Sequence, residues 1–157
     1  MLLTRLDDIR ERLAAAETIA VLGAHHETQR PAFYVPAYLY RMYYRVLPVN
    51  PRLAGTTLFG ETVTASLAEL PAPCDLVDIF RTPSALPGHF EEILALGPEA
   101  RGRARVIWLQ LGIVHRVFRD ALVHAGFDVV EDRCTLADHR LFELPKKSPP
   151  ATPPGPA

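Results

Sequence analysis

The chain is poor in cysteine, carries no excess of basic charge, and lacks both a long apolar run and a glycine-rich phosphate loop. Each absence removes a class of function. Cys74 and Cys134 are the only two cysteines in 157 residues. They have no C-x-x-C spacing and follow no secretory leader, so neither a disulfide framework nor a zinc site is expected. Six histidines do not change this. His25 and His26 are adjacent, and His89, His115, His124 and His139 lack the i, i+4 pairing of helical zinc sites, so scattered, mostly surface imidazoles are expected. Lys plus Arg number 17 against 18 Asp plus Glu, a formal net charge of -1, which gives no electrostatic footprint for nucleic acid. No apolar stretch approaches the roughly 20 residues of a membrane span, and acids appear early, at Asp7 and Asp8. A soluble, cytoplasmic protein is expected, with one core, since the chain is too short for two comfortable ones.

What is present is an alternation of short apolar runs and longer amphipathic ones. Leu2, Leu6, Ile9 and Leu13 recur at helical spacing over residues 2–16. Thr18 to Gly23 then reads as a strand buried on both faces and closed by glycine. A helix over 32–44 leads to a second strand, Arg45 to Val49, stopped by Pro51. Residues 55–60 read as a loop and 65–70 as a short helix closed by Pro71. A strand at 76–80 follows, then a helix over 83–96 with Phe90, Ile93 and Leu94 on its core face, and a strand at 105–109. A helix over 114–125 carries Val114, Val117, Phe118, Ala121 and Leu122 at core spacing, and a last strand ends near Glu131. Such alternation implies βαβ crossovers. The expected fold class is therefore three-layer α/β and Rossmann-like, a mostly parallel sheet with helices on both faces. Residues 1–145 form that domain. Residues 146–157, two lysines followed by five prolines among other residues, read as a disordered tail.

In an open parallel sheet, ligands sit at the carboxyl ends of the strands. After the first strand, Gly23 permits a sharp turn and close approach to a phosphate, with backbone N–H groups of the next helix behind it. No further glycines follow Ala24, His25 and His26, so a full G-x-G-x-x-G is absent. Arg30, usually a plain surface charge in such a place, could instead pair with phosphate in bidentate fashion. After the second strand come Asn50, Pro51 and Arg52, where a nicotinamide-binding domain commonly has an acid for the ribose. A cation there suits an additional phosphate, either the 2′-phosphate of NADP or the 3′-phosphate of coenzyme A.

These loops, with Trp108-Leu109-Gln110-Leu111-Gly112, Leu76-Val77-Asp78-Ile79-Phe80-Arg81 and Asp132-Arg133-Cys134, resemble the small stand-alone coenzyme A-binding protein family. That family is similar to the N-terminal domain of the succinyl-CoA synthetase α subunit. The resemblance covers residues 13–141. It implies coenzyme A as ligand, with the pyrophosphate held at Gly23, Ala24 and His25 and a phosphate near Arg52. It also implies that adenine and pantetheine pass the loops beginning at Phe80 and Gln110. Two residues depart from the family pattern: His25 stands for a serine and Tyr43 for a glycine. The stretch 97–105, with Arg101, Arg103 and Arg105, reads as a surface insertion. The resemblance implies binding and gives no basis for thioester synthesis, which in the synthetases needs a second domain with a phosphorylated histidine and a partner subunit.

Other residues have two readings each. Asp78 and Asp132 could act as bases, but no nucleophile accompanies them, and capping of a loop is the plainer role. Arg81 and Arg133 could pair with those acids or with ligand. Gln110 suits the amides of pantetheine and equally could tie down its own loop. Cys134 could form a mixed disulfide with the coenzyme A thiol, although a buried, inert thiol is the plainer reading. Trp108 and Tyr38, Tyr40, Tyr43 and Tyr44 read as core and helix-face residues. The expected function is non-covalent binding of coenzyme A or an acyl-coenzyme A without catalysis or metal. The alternatives are an NADP-dependent oxidoreductase and an interaction scaffold with an empty crevice.

Overall fold

The computed structural model describes residues 1–97, 99–100 and 103–150. In chain order the elements are α1 (Leu6–Ala15), β1 (Thr18–Leu22), α2 (Pro31–Arg41), β2 (Arg45–Val49), β3 (Thr57–Leu58), β4 (Glu61–Thr62), β5 (Leu76–Ile79), α3 (Phe90–Leu96), β6 (Glu99–Ala100), β7 (Arg103–Ala104), β8 (Val106–Leu109), α4 (Arg116–His124), β9 (Asp128–Val130) and α5 (Thr135–Leu141). Short 3-10 turns at Leu67–Glu69 and Pro83–His89 precede β5 and α3 respectively. The main sheet has five strands in the order β2-β1-β5-β8-β9, with every pair parallel. The chain winds outward from β1 in both directions, so the β1–β5 boundary is the topological switch point.

Alternation along the strands fixes the three layers. Ile19 and Val21 of β1, Leu76 of β5 and Val106 and Trp108 of β8 belong to one core with Ile9 and Leu13 of α1 and Ala37 to Leu39 of α2. Their neighbours Ala20, Leu22, Val77, Ile79, Ile107 and Leu109 belong to a second core with Ile93 of α3 and Phe118 and Leu122 of α4. A strand with both faces covered must be apolar at nearly every position. Asp78 departs from this rule, wholly buried between Val77 and Ile79 in the middle strand.

Several boundaries differ from the sequence expectation. Leu2 and Leu3 are not helical. Leu2 forms a parallel bridge to Val129, and the Leu3 N–H donates to the Val129 carbonyl at 2.8 Å. Residues 55–60 lead into the β3–β4 hairpin, whose partners are Thr57 with Thr62 and Leu58 with Glu61. In the 83–96 helix the first half is 3-10, with Pro87 inside it, whose ring would clash with the i−4 carbonyl of an α-helix, and Leu94 is exposed. α4 begins at Arg116, capped by His115, whose Nδ1 accepts from the Phe118 N–H at 3.1 Å. Val114 therefore precedes the helix and Val117 faces outward, both exposed. α5 was not expected at all.

Two surface assignments also change. His139 and Arg105 are buried. The Arg105 guanidinium donates to the Cys74 carbonyl and lies 3.3 Å from its sulfur, so Arg105 is a core residue and not part of a surface insertion. Arg101 lies outside the described residues, as does the side chain of Arg103. At the other end, Lys147 Nζ donates to the Ala14 carbonyl at 2.7 Å, and the Lys146 and Lys147 ammoniums lie 4.6 and 4.7 Å from the ring centroids of Tyr43 and Tyr44. The packed chain thus includes these two lysines, while residues 151–157 lie outside the described residues. No helix among the described residues is long and apolar enough to cross a membrane.

Candidate functional site

The carboxyl edge of the sheet assembles four loops around Gly23. That residue has φ +90°, and a Cβ built on it would stand 2.5 Å from the Phe80 carbonyl oxygen and 3.2 Å from Arg81 Cδ. Only glycine fits, because the ends of β1 and β5 meet there in a left-handed turn. The Gly23 and Ala24 N–H groups both donate to the Val49 carbonyl, at 2.9 and 3.2 Å, and the His25 N–H donates to Ala32 at 3.1 Å. The turn therefore contributes shape and a close approach. Its three amides are already engaged within the fold.

His25 illustrates how the departure from serine is absorbed. Its Nδ1 accepts from the Glu27 N–H at 3.0 Å, the i to i+2 bond that a serine hydroxyl makes in turns. Its ring stacks on His26 with centroids 4.8 Å apart. Arg30 is exposed and its Nε donates to Glu27 at 2.7 Å, a bond that lowers the Glu27 pKa. Asn50 staples two loops: Nδ2 donates to the Ala24 carbonyl at 2.8 Å, and Oδ1 accepts from the Arg52 N–H at 2.9 Å. Pro51 and Arg52 project beyond this staple and are exposed.

Behind the crevice lies a buried polar network. Gln110 Nε2 donates to Asp78 Oδ1 at 2.6 Å and to Thr135 Oγ1 at 2.9 Å, and the Thr135 hydroxyl donates to Asp78 Oδ2 at 2.9 Å. Burial raises the Asp78 pKa to about 7, against the two hydrogen bonds that lower it. Gln110 is thus the residue that ties β8 to β5 and to the start of α5. It is buried and has no amide N–H left to aim at a ligand on this side. Leu111, next along, is 70% exposed. Gly112 has φ +84° and its N–H donates to Asp132 Oδ1 at 2.7 Å, so Asp132 fastens a loop.

Arg133 pairs in bidentate fashion with Asp138, at 2.6 and 2.7 Å, and its carbonyl accepts from the Trp108 indole at 2.7 Å. It is a strut for α5 and not a free cation. Cys134 precedes that helix half-buried, and burial pushes its thiol up, which lowers the share of thiolate from which a mixed disulfide forms. Cys74 is more deeply buried and its thiol is raised for the same reason. No group of His, Cys, Asp and Glu among the described residues could hold a metal ion.

Of the residues singled out from the sequence, the structure gathers Gly23, Ala24, His25, Arg30, Pro51, Arg52, Phe80, Arg81, Gln110, Leu111, Gly112 and Cys134 on loops at one edge of the sheet. Sequence reasoning missed Asn50 as a staple and missed His89, which contacts Arg81, and Glu92, which contacts His89. The i, i+3 His-x-x-Glu spacing at the start of α3 was the available signal.

The fold defines a doubly wound α/β protein with exposed Arg30, Arg52 and Arg81 on the loops at the carboxyl edge of its sheet. The family model described as "CoA binding domain" matches residues 17–140, and the chain belongs to that family. It is similar to "Uncharacterized protein YneT" of Bacillus subtilis (strain 168), with 31% identity over 134 residues, 85% of this chain and 93% of that protein. Among solved structures it resembles cell-free ID.343 from Thermus thermophilus, with 50% identity and a TM-score of 0.82 over 88% of this chain and 99% of that one. It also resembles a hypothetical protein from Pyrococcus horikoshii OT3, with 29% identity and a TM-score of 0.80 over 89% and 93% of the two chains.

Proposed function

We propose that the chain binds coenzyme A or an acyl-coenzyme A non-covalently at the carboxyl edge of its sheet and carries out no chemistry on it. One observation carries this reading: the family match spans all four crevice loops, and those loops present Arg30, Arg52 and Arg81, all exposed, around the Gly23 turn. Because the turn's amides are engaged internally, the phosphates of the ligand fall to guanidinium groups, which can fork onto phosphate oxygens. Arg52, outside the Asn50 staple, takes the 3′-phosphate. Exposed Leu111 offers apolar surface to the pantetheine arm or an acyl chain, a role that buried Gln110 does not fill.

Binding without turnover gives Asp78 a structural role and no part as a base. Asp78 is shielded by Gln110 and Thr135. Native mass spectrometry of the protein as purified, and after addition of coenzyme A or NADP, tests the reading. A retained or added coenzyme A adduct of one per chain is the expected result. An adduct with NADP alone would replace the reading with an oxidoreductase, and no adduct with either would favour an interaction scaffold.

A further inference from the structure

Arg81 does not hang freely in the crevice. Its Cδ lies beside the Gly23 turn, 3.2 Å from where a Cβ would be. Its Nε donates to His89 Nε2 at 3.3 Å, and His89 Nδ1 lies 2.7 Å from Glu92 Oε1. The second Glu92 oxygen accepts from the Leu67 N–H at 3.2 Å. Chemistry settles the proton positions. Arginine Nε can only donate, so His89 Nε2 must accept, and a carboxylate can only accept, so Nδ1 must carry the hydrogen. One neutral tautomer satisfies both contacts. The chain of bonds anchors the inner nitrogen of the guanidinium and leaves the two terminal nitrogens unengaged by any described residue.

We propose that His89 and Glu92 are positioning residues that hold Arg81 over the Gly23 turn as a pre-set fork for a phosphate group. The proposal rests on the reading that the crevice takes a phosphate-bearing ligand. Without the anchor, the flexible arginine stem must be ordered on binding, and that lost side-chain freedom weakens the complex. Arg81 is the group that touches the anion, and His89 acts through it.

Two measurements on the full chain test this. Nitrogen-15 NMR of the His89 ring at pH 8 should show the neutral tautomer protonated at Nδ1, and an Nε2-protonated ring overturns the proposal without any ligand being added. Calorimetric titration with coenzyme A and with inorganic pyrophosphate should show His89→Phe weakening binding roughly tenfold. His89→Gln, which retains an acceptor for Arg81, should recover part of that loss. Adding His89→Phe to Arg81→Met should cost nothing further, because the histidine acts through a side chain no longer there. Additive losses, or full affinity in His89→Phe, overturn it. If His89→Phe fails to fold, His89→Gln against wild type and the ring tautomer decide. A wild-type chain that takes pyrophosphate but not coenzyme A refutes the coenzyme A reading while the same variants judge the relay, and one that takes neither refutes both.

Discussion

At Gly23 the requirement is steric as well as conformational, since an added methyl group would meet the Phe80 carbonyl at 2.5 Å in a backbone with φ +90°. Gly23→Ala must therefore push apart the ends of β1 and β5. A loss of roughly 2–4 kcal/mol in urea-denaturation stability is expected; a change under about 0.5 kcal/mol would place it with ordinary surface substitutions. Asp78 sets a second residue-level test. Its native pKa is raised from 3.8 to about 7 by burial, so the native state holds the proton more tightly than the unfolded chain does. The stability it contributes is fully present below its unfolded pKa and is lost as the pH rises through about 7. Asp78→Asn imitates the protonated acid. The stability of that variant relative to wild type should climb between about pH 4 and 7 and level off above. A difference that does not change with pH would show that Asp78 has the same pKa in the native and unfolded states.

Among the connections between elements, the turn between α2 and β2 carries backbone strain. Tyr43 occupies it with φ +66°, a conformation a side chain adopts at a cost of roughly 1–2 kcal/mol. It is also the position where the resembled family has glycine. Tyr43→Gly should be more stable than Tyr43→Ala by about 1 kcal/mol in thermal or urea unfolding, since both lose the ring under Lys146 and only glycine relieves the backbone. Equal stabilities would contradict the strain. The layer order was legible in the sequence because β1, β2, β5 and β8 are nearly continuous apolar runs and the helices between them keep a 3.6-residue period. α5 was not, because seven residues give too short a periodic pattern and its buried face consists of Thr135, Asp138 and His139, which read as polar surface. Of the site, the loops were legible from where the strands stop. Which donors remain free was not, because the Val49 carbonyl captures the Gly23 and Ala24 amides, and Asp78 and Thr135 capture Gln110, through contacts distant in sequence.

Taken whole, the molecule places its apolar residues in two cores on either side of one sheet and its crevice arginines along one edge, although its net charge is only -1. On the proposed reading, attraction for a polyanionic ligand comes from that edge and not from the overall charge. Membership of the coenzyme A-binding domain family and three exposed guanidinium groups around Gly23 converge on one ligand class. Calorimetric titration with coenzyme A and with 3′-dephospho-coenzyme A tests it most directly, run on wild type and on Arg52→Ala. The account predicts one saturable site for coenzyme A, roughly tenfold weaker binding of the dephospho form, and loss of that discrimination in Arg52→Ala. No saturable heat with coenzyme A in a folded wild-type protein would contradict it.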